Sequence, residues 1–346
     1  MKKATKLISL LLAMMMLFSL AACGGGGGGQ ESQTPAGSTE PAPSTEPSGG
    51  GTTEVTPKTI GYVTISGSAP WGALIGTTLQ GLCEESGWTF RYLDAETNAD
   101  KLNEHVQTMI DAGVEALVIF GGDRTANVDN AKKAHDAGIP VFMAALDVAE
   151  GGQEYVTACV GPDQQKAFEE IGQYVIEDNE GAESGKLVVQ ISGVPFLDDY
   201  IQREAGFMTA MEGTNYDVKE AQYAYSDRSQ AKTYMEQYIQ TYGEDIDILI
   251  GYDDDLTMGA VQAIDEAGMT GQIKVYSFTG QNDAIQAVKD GKMELTVMNR
   301  AGDIAQELMN TMVEYFSTGE TEYYHYTDLT YITADNVDEY VGQGEF

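Results

Sequence analysis

Three consecutive aspartates at positions 253–255 form the longest run of acidic side chains in the sequence. They follow a short apolar run and a Gly-Tyr pair, and an amphipathic segment that ends at Gly268 comes next, which predicts a buried strand, a turn and a helix. The carboxylates could cap the helix, hydrogen-bond a polar ligand or bind calcium, although they do not alternate as in an EF-hand loop. Because ligands of parallel sheets bind where strands end, Tyr252 and Asp253 begin a candidate cleft wall.

Two other side chains have types suited to ligand contact. Trp71 comes shortly after Ser68, behind the first predicted strand, where an indole can cover a flat apolar face of a ligand or pack in the core. Arg203 lies on a predicted helix, where its planar fork could bond two ligand oxygens or pair with Asp198 or Asp199 on the surface. The residues alone leave these alternatives open.

Signals of enzymatic chemistry are missing from the sequence. No G-x-S-x-G motif occurs, the three histidines include no i,i+4 pair, and the Cys/His spacing of a metal site is absent. We therefore expect a protein that is not an enzyme and that carries no metal and no cofactor. The formal net charge of −35 also argues against nucleic acid as a partner, because an acidic surface repels phosphates.

The first 57 residues predict export and anchoring. Residues 1–22 contain lysines and an apolar run too short for a membrane span, and Leu-Ala-Ala-Cys at 20–23 resembles the lipobox of bacterial lipoproteins. This predicts a cleaved signal peptide and a lipid on Cys23; an ordinary signal peptide with an incidental cysteine is the alternative. Residues 23–57 are rich in Gly, Ser, Pro and Thr, which predicts a disordered linker. Cys83 and Cys159 are expected to be isolated thiols, with a disulfide between them as the alternative.

From residue 59 onward, short apolar runs alternate with segments of helical period. In the first half of this region the apolar runs lie at 59–65, 88–94, 116–120 and 140–146. The scheme repeats in the second half, and the strand–Gly–Asp–helix unit around Asp253 has a counterpart around Asp123. These patterns predict the α/β class, with two similar Rossmann-like lobes built on parallel sheets.

Four motifs together carry a family resemblance. They are TIGYVTISGSAPWGALIGTTLQGL, AGIPVFMAALD, REAGF and DDDLTMGAVQAIDEAG. They resemble the first strand with its ligand loop, the fourth strand, and the R-x-x-G-F and N-D-x-x-A-x-G-A segments of the periplasmic sugar-binding proteins of the ribose/galactose type. The resemblance implies the type I periplasmic-binding-protein fold, in which two lobes joined by a three-crossover hinge close on a ligand.

The resemblance also implies boundaries for the two lobes. The N-terminal lobe is expected to comprise residues 58–161 with 300–319, and the C-terminal lobe residues 162–299 with 320–346. The three crossovers would then fall near residues 161–163, 299–301 and 319–324.

Ligand-binding roles follow from the resemblance position by position. Trp71 takes the place of the stacking aromatic residue, and Arg203 takes the place of the cleft arginine. Asp253 replaces the asparagine at a strand end, and Asn299 takes the place of the hinge-side amide.

Other positions depart from the family pattern. Ala69, Gly72 and Thr279 stand where the family has an asparagine, a second aromatic residue and an aspartate. The family's fourth-strand acid is either Asp147, which lies two residues late, or missing. The implication for the fold is therefore stronger than the implication for a particular sugar. The predicted ligand-binding residues are Ser68, Trp71, Asp147, Arg203, Tyr252, Asp253, Thr279 and Asn299.

The resemblance implies an extracytoplasmic substrate-binding lipoprotein of an ABC importer, which binds a monosaccharide or a similar small polyhydroxylated ligand. Stacking would bury the apolar face of the sugar, while charged and planar side chains would satisfy its hydroxyls. The expected partners are ABC permease subunits and the membrane, through the lipid on Cys23, and the protein is expected to be a monomer. The alternative function is the ligand-binding subunit of a membrane sensory or chemotaxis system.

Overall fold

The structure is a computed structural model that describes residues 55–68 and 70–345. The predicted signal peptide, Cys23 and most of the predicted linker lie outside the described residues. The strands are β1 (Thr59–Thr64), β2 (Thr89–Asp94), β3 (Ala116–Phe120), β4 (Val141–Ala144), β5 (Ala158–Gly161), β6 (Leu187–Ser192), β7 (Asp217–Val218), β8 (Gln222–Tyr223), β9 (Ile248–Gly251), β10 (Lys274–Thr279), β11 (Leu295–Met298), β12 (Tyr324–Tyr326) and β13 (Thr330–Thr333). The helices are α1 (Pro70–Glu85), α2 (Ala99–Asp111), α3 (Arg124–Asp136), α4 (Gln164–Asp178), α5 (Asp198–Met211), α6 (Arg228–Tyr242), α7 (Asp254–Glu266), α8 (Asn282–Lys289) and α9 (Ala301–Thr318).

The strands form two sheets of similar plan. The first sheet has the order β12-β5-β4-β3-β1-β2, and all its pairs are parallel. The second has the order β13-β11-β10-β9-β6-β7, with β8 also paired to β6, and only β13 runs antiparallel to its neighbour. The predicted α/β class with two Rossmann-like lobes is confirmed. The N-terminal lobe is the first sheet with its helices, and the C-terminal lobe is the second.

Helices cover both faces of each sheet, which explains why the strands are continuous apolar runs. In the N-terminal lobe, α1 and α9 bury one face, and α2 and α3 bury the other. In the C-terminal lobe, α4 and α5 bury one face, and α6, α7 and α8 bury the other. Cys83 and Cys159 are buried on opposite faces of the first sheet and are unbonded, so the expectation of isolated thiols is confirmed.

The chain passes between the two lobes at three places. It leaves the first sheet after β5, returns from β11 to α9, and crosses again between β12 and β13. The predicted third crossover at 319–324, and with it the lobe boundary after residue 319, is wrong. Tyr324–Tyr326 pairs in parallel with β5 and so extends the first sheet, which moves this crossover to residues 327–329.

The carboxyl ends of the parallel strands define a common edge in each lobe. After β5 and after β11 the chain leaves the sheet at this edge and passes directly into the other lobe. The two edges therefore lie next to each other. Loops after β1, β3 and β4 therefore approach loops after β6, β9 and β10. In the described part of the chain, no helix has the length and apolar character needed to cross a membrane.

One residue of the REAGF motif is explained by helix packing. Gly206 on α5 lies so close to α4 that an added Cβ would be 2.1 Å from the backbone oxygen of Gln165. The glycine therefore allows close packing of two helices that carry residues of the cleft. Gly81 on α1 differs, because an added Cβ would have no atom within 4 Å.

We predict that Gly206→Ala lowers the free energy of unfolding by about 1–3 kcal/mol, because the backbone must shift to admit the methyl group. Gly81→Ala is the matched control, and it should raise the free energy of unfolding by roughly 0.5–1 kcal/mol, since alanine restricts the unfolded chain. Urea denaturation of both variants measures the effects. Equal effects of the two substitutions would contradict the close packing of α4 and α5.

Candidate ligand-binding cleft

Arg203 is buried in the C-terminal lobe instead of lying on the surface. Its side chain is 6% exposed, and its guanidinium lies 4.8 Å from the ring centroid of Phe278. The Nε–H group donates to Gln164 Oε1 and an Nη1–H group donates to the carbonyl of Tyr252, both at 2.8 Å. Asp199 Oδ2 lies 3.7 Å from Nη2. The surface ion-pair alternative for Arg203 is therefore wrong, although Asp199 is a neighbour.

Tyr252 does not provide a side chain to the cleft. Its ring is fully buried and stacks on Phe168 at a centroid distance of 5.0 Å, and its hydroxyl bonds to Gln190. The prediction that the Tyr252 side chain contacts ligand is wrong, because the alternation of the strand continues past Gly251 and turns the ring into the core. Only the backbone carbonyl of Tyr252 faces Arg203.

Asp253 caps helix α7, as one interpretation of the aspartate run predicted. Its Oδ1 accepts the N–H of Leu256 at 2.9 Å, and its Oδ2 accepts the hydroxyl of Tyr200 at 2.6 Å. Burial raises the pKa of the Asp253 carboxyl above its ordinary value. Both oxygens therefore have protein partners. Among the described residues, no group of three or more His, Cys, Asp or Glu is arranged to hold a metal ion.

Asp254 is more deeply buried than its neighbour. The Oγ1 of Thr296 donates to its carboxylate at 2.9 and 3.0 Å, and the N–H of Gln281 donates at 2.8 Å. Burial raises the pKa of the Asp254 carboxyl to about 7, which outweighs these hydrogen bonds. Asp254 joins α7 to β11 and to the loop after β10, so it supports the cleft wall from behind.

Asn299 and Asp199 present buried acceptors at the carboxyl edge of the second sheet. Asn299 follows β11 at a crossover and is 3% exposed, and Asp199 lies in the first turn of α5. The Oδ1 atoms of both side chains are buried and have no hydrogen-bond partner among the described residues. Since a buried acceptor without a donor costs roughly 1–3 kcal/mol, these two atoms are positioned for a ligand that donates hydrogen bonds.

Strained backbone occurs at corresponding strand ends of the two lobes. Thr279 at the end of β10 has φ +118°, and Ala145 directly after β4 has φ +67°. Non-glycine residues adopt such angles rarely, and the strain persists only where the surrounding structure enforces it, which is frequent at binding sites. Thr279 Oγ1 accepts the N–H of Asp254 at 3.4 Å, and its carbonyl accepts the N–H of Asn299 at 3.4 Å. Thr279 thus links the segment after β9, which contains Asp254, to the segment after β11, which contains Asn299.

The N-terminal lobe contributes Ser68 and Trp71 to the candidate cleft, from the segment that follows β1 in the chain. Ser68 is exposed, and its hydroxyl lies 2.9 Å from that of Ser66. Trp71 is partly buried, with its ring centroid 6.4 Å from that of Phe120. Phe120 also explains Gly72, because a Cβ at Gly72 would lie 2.5 Å from the Phe120 ring. The ring of Phe120, contributed by β3, thus occupies space that a second aromatic side chain at position 72 would need.

Asp147 follows β4 in the chain and is hydrogen-bonded to tyrosines at the start of β12, the strand next to the third crossover. Its side chain is buried and accepts hydrogen bonds from the hydroxyls of Tyr323 at 2.6 Å and Tyr324 at 3.0 Å. The N–H of Val148 donates to it at 2.7 Å. The structure thus places Asp147 beside the hinge, whereas Ser68 and Trp71 lie over the strands farther from it.

Sequence reasoning missed the contact that joins the two lobes. Arg124 begins α3 in the N-terminal lobe, and its Nη1 forms an ion pair with Asp198, which begins α5 in the C-terminal lobe. Arg124 also donates to the carbonyls of Asp147 at 2.9 Å and Val148 at 2.7 Å. One feature of the sequence could have pointed to Arg124. It directly follows Asp123, the residue that corresponds to Asp253 in the repeated strand–Gly–Asp–helix unit.

Two similar α/β lobes, three crossovers and buried acceptors at the carboxyl edge of the second sheet are typical of proteins that bind a small polar ligand between two lobes. The family model described as "Periplasmic binding protein domain" matches residues 60–321. The chain therefore belongs to the type I periplasmic sugar-binding protein family, whose members are extracytoplasmic binding proteins and not enzymes.

Individual relatives support this assignment. The chain is 24% identical over 253 residues to the fructose import binding protein FruE of Bifidobacterium longum, covering 72% of this chain and 76% of the relative. It is 28% identical over 239 residues to the ribose import binding protein RbsB of Bacillus subtilis, covering 69% and 75%. A solved galactofuranose binding protein is 25% identical with a TM-score of 0.73, covering 84% of this chain and 99% of that one.

We predict that Asp254 makes stability fall as the pH rises. Its pKa is about 7 in the folded protein and about 3.9 in the unfolded chain. Between these values the unfolded state binds fewer protons, so the free energy of unfolding falls by at most about 1.4 kcal/mol per pH unit and levels off above pH 7. Urea denaturation of wild type and Asp254→Asn at pH 5, 6, 7 and 8 should show this fall in the difference between the two proteins.

Asp265→Asn is the control for this pH dependence. Its hydrogen bond with Lys292 lowers the pKa of the Asp265 carboxyl, so its contribution is constant above about pH 5 and declines only at lower pH. From pH 5 to 8, the difference in the free energy of unfolding between wild type and Asp265→Asn should be constant. If the difference between wild type and Asp254→Asn is also constant over this range, Asp254 is not buried as described.

Proposed function

We propose that the protein is the lipid-anchored substrate-binding component of an ABC importer and carries a monosaccharide or a similar small polyhydroxylated ligand between its lobes. The proposal is supported by its relatives, which are named as import binding proteins for fructose and ribose. Structures of similar fold that are under 25% identical to this chain have bound myo-inositol or L-arabinofuranose, although their likeness extends to the fold alone.

The observation that carries the proposal is the pair of buried acceptors without donors. Each sugar hydroxyl donates one hydrogen bond and can accept two, so two hydroxyls of one sugar would satisfy Asn299 Oδ1 and Asp199 Oδ1 without placing a charge in the cleft. The charge of the surroundings points the same way. Because the net charge of the chain is −35, a neutral ligand is favoured over an anionic one.

Delivery to a permease requires that the protein signal its loaded state. In this proposal the lobes rotate about the three crossovers and close on the sugar, which excludes water and creates the surface that permease subunits bind. The Arg124–Asp198 pair is one contact that connects the lobes. A lipid on Cys23 would hold the protein near the permease, and the acidic surface would keep it off an anionic membrane.

We predict that Asn299→Ala weakens sugar binding without lowering stability. The substitution removes an acceptor that has no partner in the free protein, so the free energy of unfolding should not fall by more than about 1 kcal/mol, whereas the loss of a ligand hydrogen bond should weaken affinity roughly three- to ten-fold. A thermal-shift screen with D-ribose, D-galactose, D-fructose, L-arabinose and myo-inositol identifies a bound compound, and calorimetry then compares the variants.

Ser184→Ala is the matched control, because Ser184 Oγ is also buried without a partner but lies before β6, at the opposite end of the strand from the cleft. It should leave affinity unchanged. If none of the five compounds stabilises the protein, the sugar-binding proposal fails. If Asn299→Ala binds a stabilising compound like wild type, the ligand lies elsewhere.

We predict that Cys23 is the residue that carries the lipid. Stable anchoring takes two or more acyl chains, and a lipobox cysteine is the residue that carries them. In a bacterial host fed with labelled palmitate, wild type and the control Cys83→Ala should incorporate label, and Cys23→Ala should not. Unlabelled wild type in the culture medium, cleaved at another position, would contradict this.

A further inference from the structure

A cavity of about 550 Å³ lies beside the hinge, and its walls come from both lobes. Arg124, Tyr324 and Tyr326 contribute from the N-terminal lobe, and Gln164 and Gln202 contribute from the C-terminal lobe. Pockets for drug-sized molecules run from roughly 300 to 1,000 Å³. The cavity is therefore large enough for a ring, and it lies outside the group of residues that the family resemblance assigned to the ligand, with the exception of Asp147.

The cavity adjoins the cleft described above. Gln164 lines the cavity, and its Oε1 accepts the hydrogen bond from Arg203 Nε at 2.8 Å. Ala145 and Leu146, which follow the carboxyl end of β4, line it as well. A ligand that reaches the end of β4 therefore also borders this cavity.

Two tyrosines supply exposed aromatic surface in this cavity. Tyr324 and Tyr326 project to the same side of β12, and their rings are parallel within 4° at a centroid distance of 5.6 Å. They remain 46% and 56% exposed although they lie where the lobes meet. The hydroxyl of Tyr324 is held by Asp147 at 3.0 Å, which fixes the ring. Exposed, positioned aromatic rings are suited to the apolar face of a sugar.

The polar groups of the cavity suit a neutral ligand with many hydroxyls. Arg124 and Lys166 provide cations, Asp147 and Glu169 provide carboxylates, and Gln202 provides an amide. Since both signs of charge occur together, a strongly charged ligand would meet repulsion from one set or the other. Hydroxyls both donate and accept hydrogen bonds, so they can match cations, carboxylates and amides together.

We propose that this cavity is a second sugar subsite, and that the protein binds a disaccharide. One ring occupies the cleft at Asn299 and Asp199, and the other ring lies against Tyr324 and Tyr326. The inference rests on the proposed sugar-binding function and specifies its substrate class. It also assigns a role to the aromatic run of residues 323–326, which the family resemblance leaves without a ligand role.

Calorimetry with matched pairs of sugars tests the proposal. The probes are lactose, melibiose, maltose and sucrose, each compared with its component monosaccharides D-galactose, D-glucose and D-fructose. At least one disaccharide should bind at least about ten-fold tighter than both of its components. Tyr326→Ala should weaken that disaccharide about three- to ten-fold by removing ring contact, and it should leave monosaccharide affinity unchanged within about two-fold.

Tyr326→Phe is the matched control, because it keeps the ring, and it should retain the preference for the disaccharide. Thermal unfolding establishes that each variant is folded. If monosaccharides bind and no disaccharide binds tighter, the second subsite is refuted while the sugar-binding function stands. The second subsite is also refuted if Tyr326→Ala weakens the binding of monosaccharides and disaccharides equally, or weakens neither. If no sugar of either size binds, the proposed function and the second subsite both fall.

Discussion

The buried guanidinium of Arg203 is the interaction on which the cleft side of the C-terminal lobe depends. It lies over the ring of Phe278 and bonds to Gln164 on α4 and to the carbonyl of Tyr252 after β9, so one side chain joins two helices to the sheet edge. Burying a charge is costly unless every donor finds a partner, which restricts these loops to one arrangement. Truncating Arg203 would leave Gln164 Oε1 and the carbonyl of Tyr252 without this donor, so it would destabilise the lobe.

Helix α5 connects this buried arrangement to the other lobe. Asp198 in its first turn pairs with Arg124 across the cleft, and Arg124 in turn bonds to the backbone of Asp147, which holds the tyrosines of β12 at the hinge. The magnitude of this contact decides its role. A partly exposed ion pair contributes about 0–1 kcal/mol, whereas moving an equilibrium from mostly open to mostly closed requires about 5.5 kcal/mol. The pair therefore orients the lobes, and the ligand must supply most of the free energy of closure.

The sequence predicted the fold well because its strands are buried on both faces. The apolar run at 116–120 coincides with β3, and continuous apolar runs are typical of parallel strands covered by helices. It failed at β12, since an edge strand of Tyr-His-Tyr with two exposed rings shows no such run. It also placed the ring of Tyr252 in the cleft, because a single aromatic residue after a glycine does not show which way it turns. Contacts between lobes, such as Arg124 with Asp198, join distant parts of the chain and leave no local pattern.

Closure of the lobes on a sugar is the central claim, and small-angle X-ray scattering tests it most directly. Scattering is recorded for the free protein and for the protein saturated with a sugar that stabilises it thermally. The radius of gyration should fall on binding, while the molar mass from forward scattering stays that of one chain, because rotation about the three crossovers makes each molecule more compact. An unchanged scattering profile at full saturation would contradict closure about this hinge.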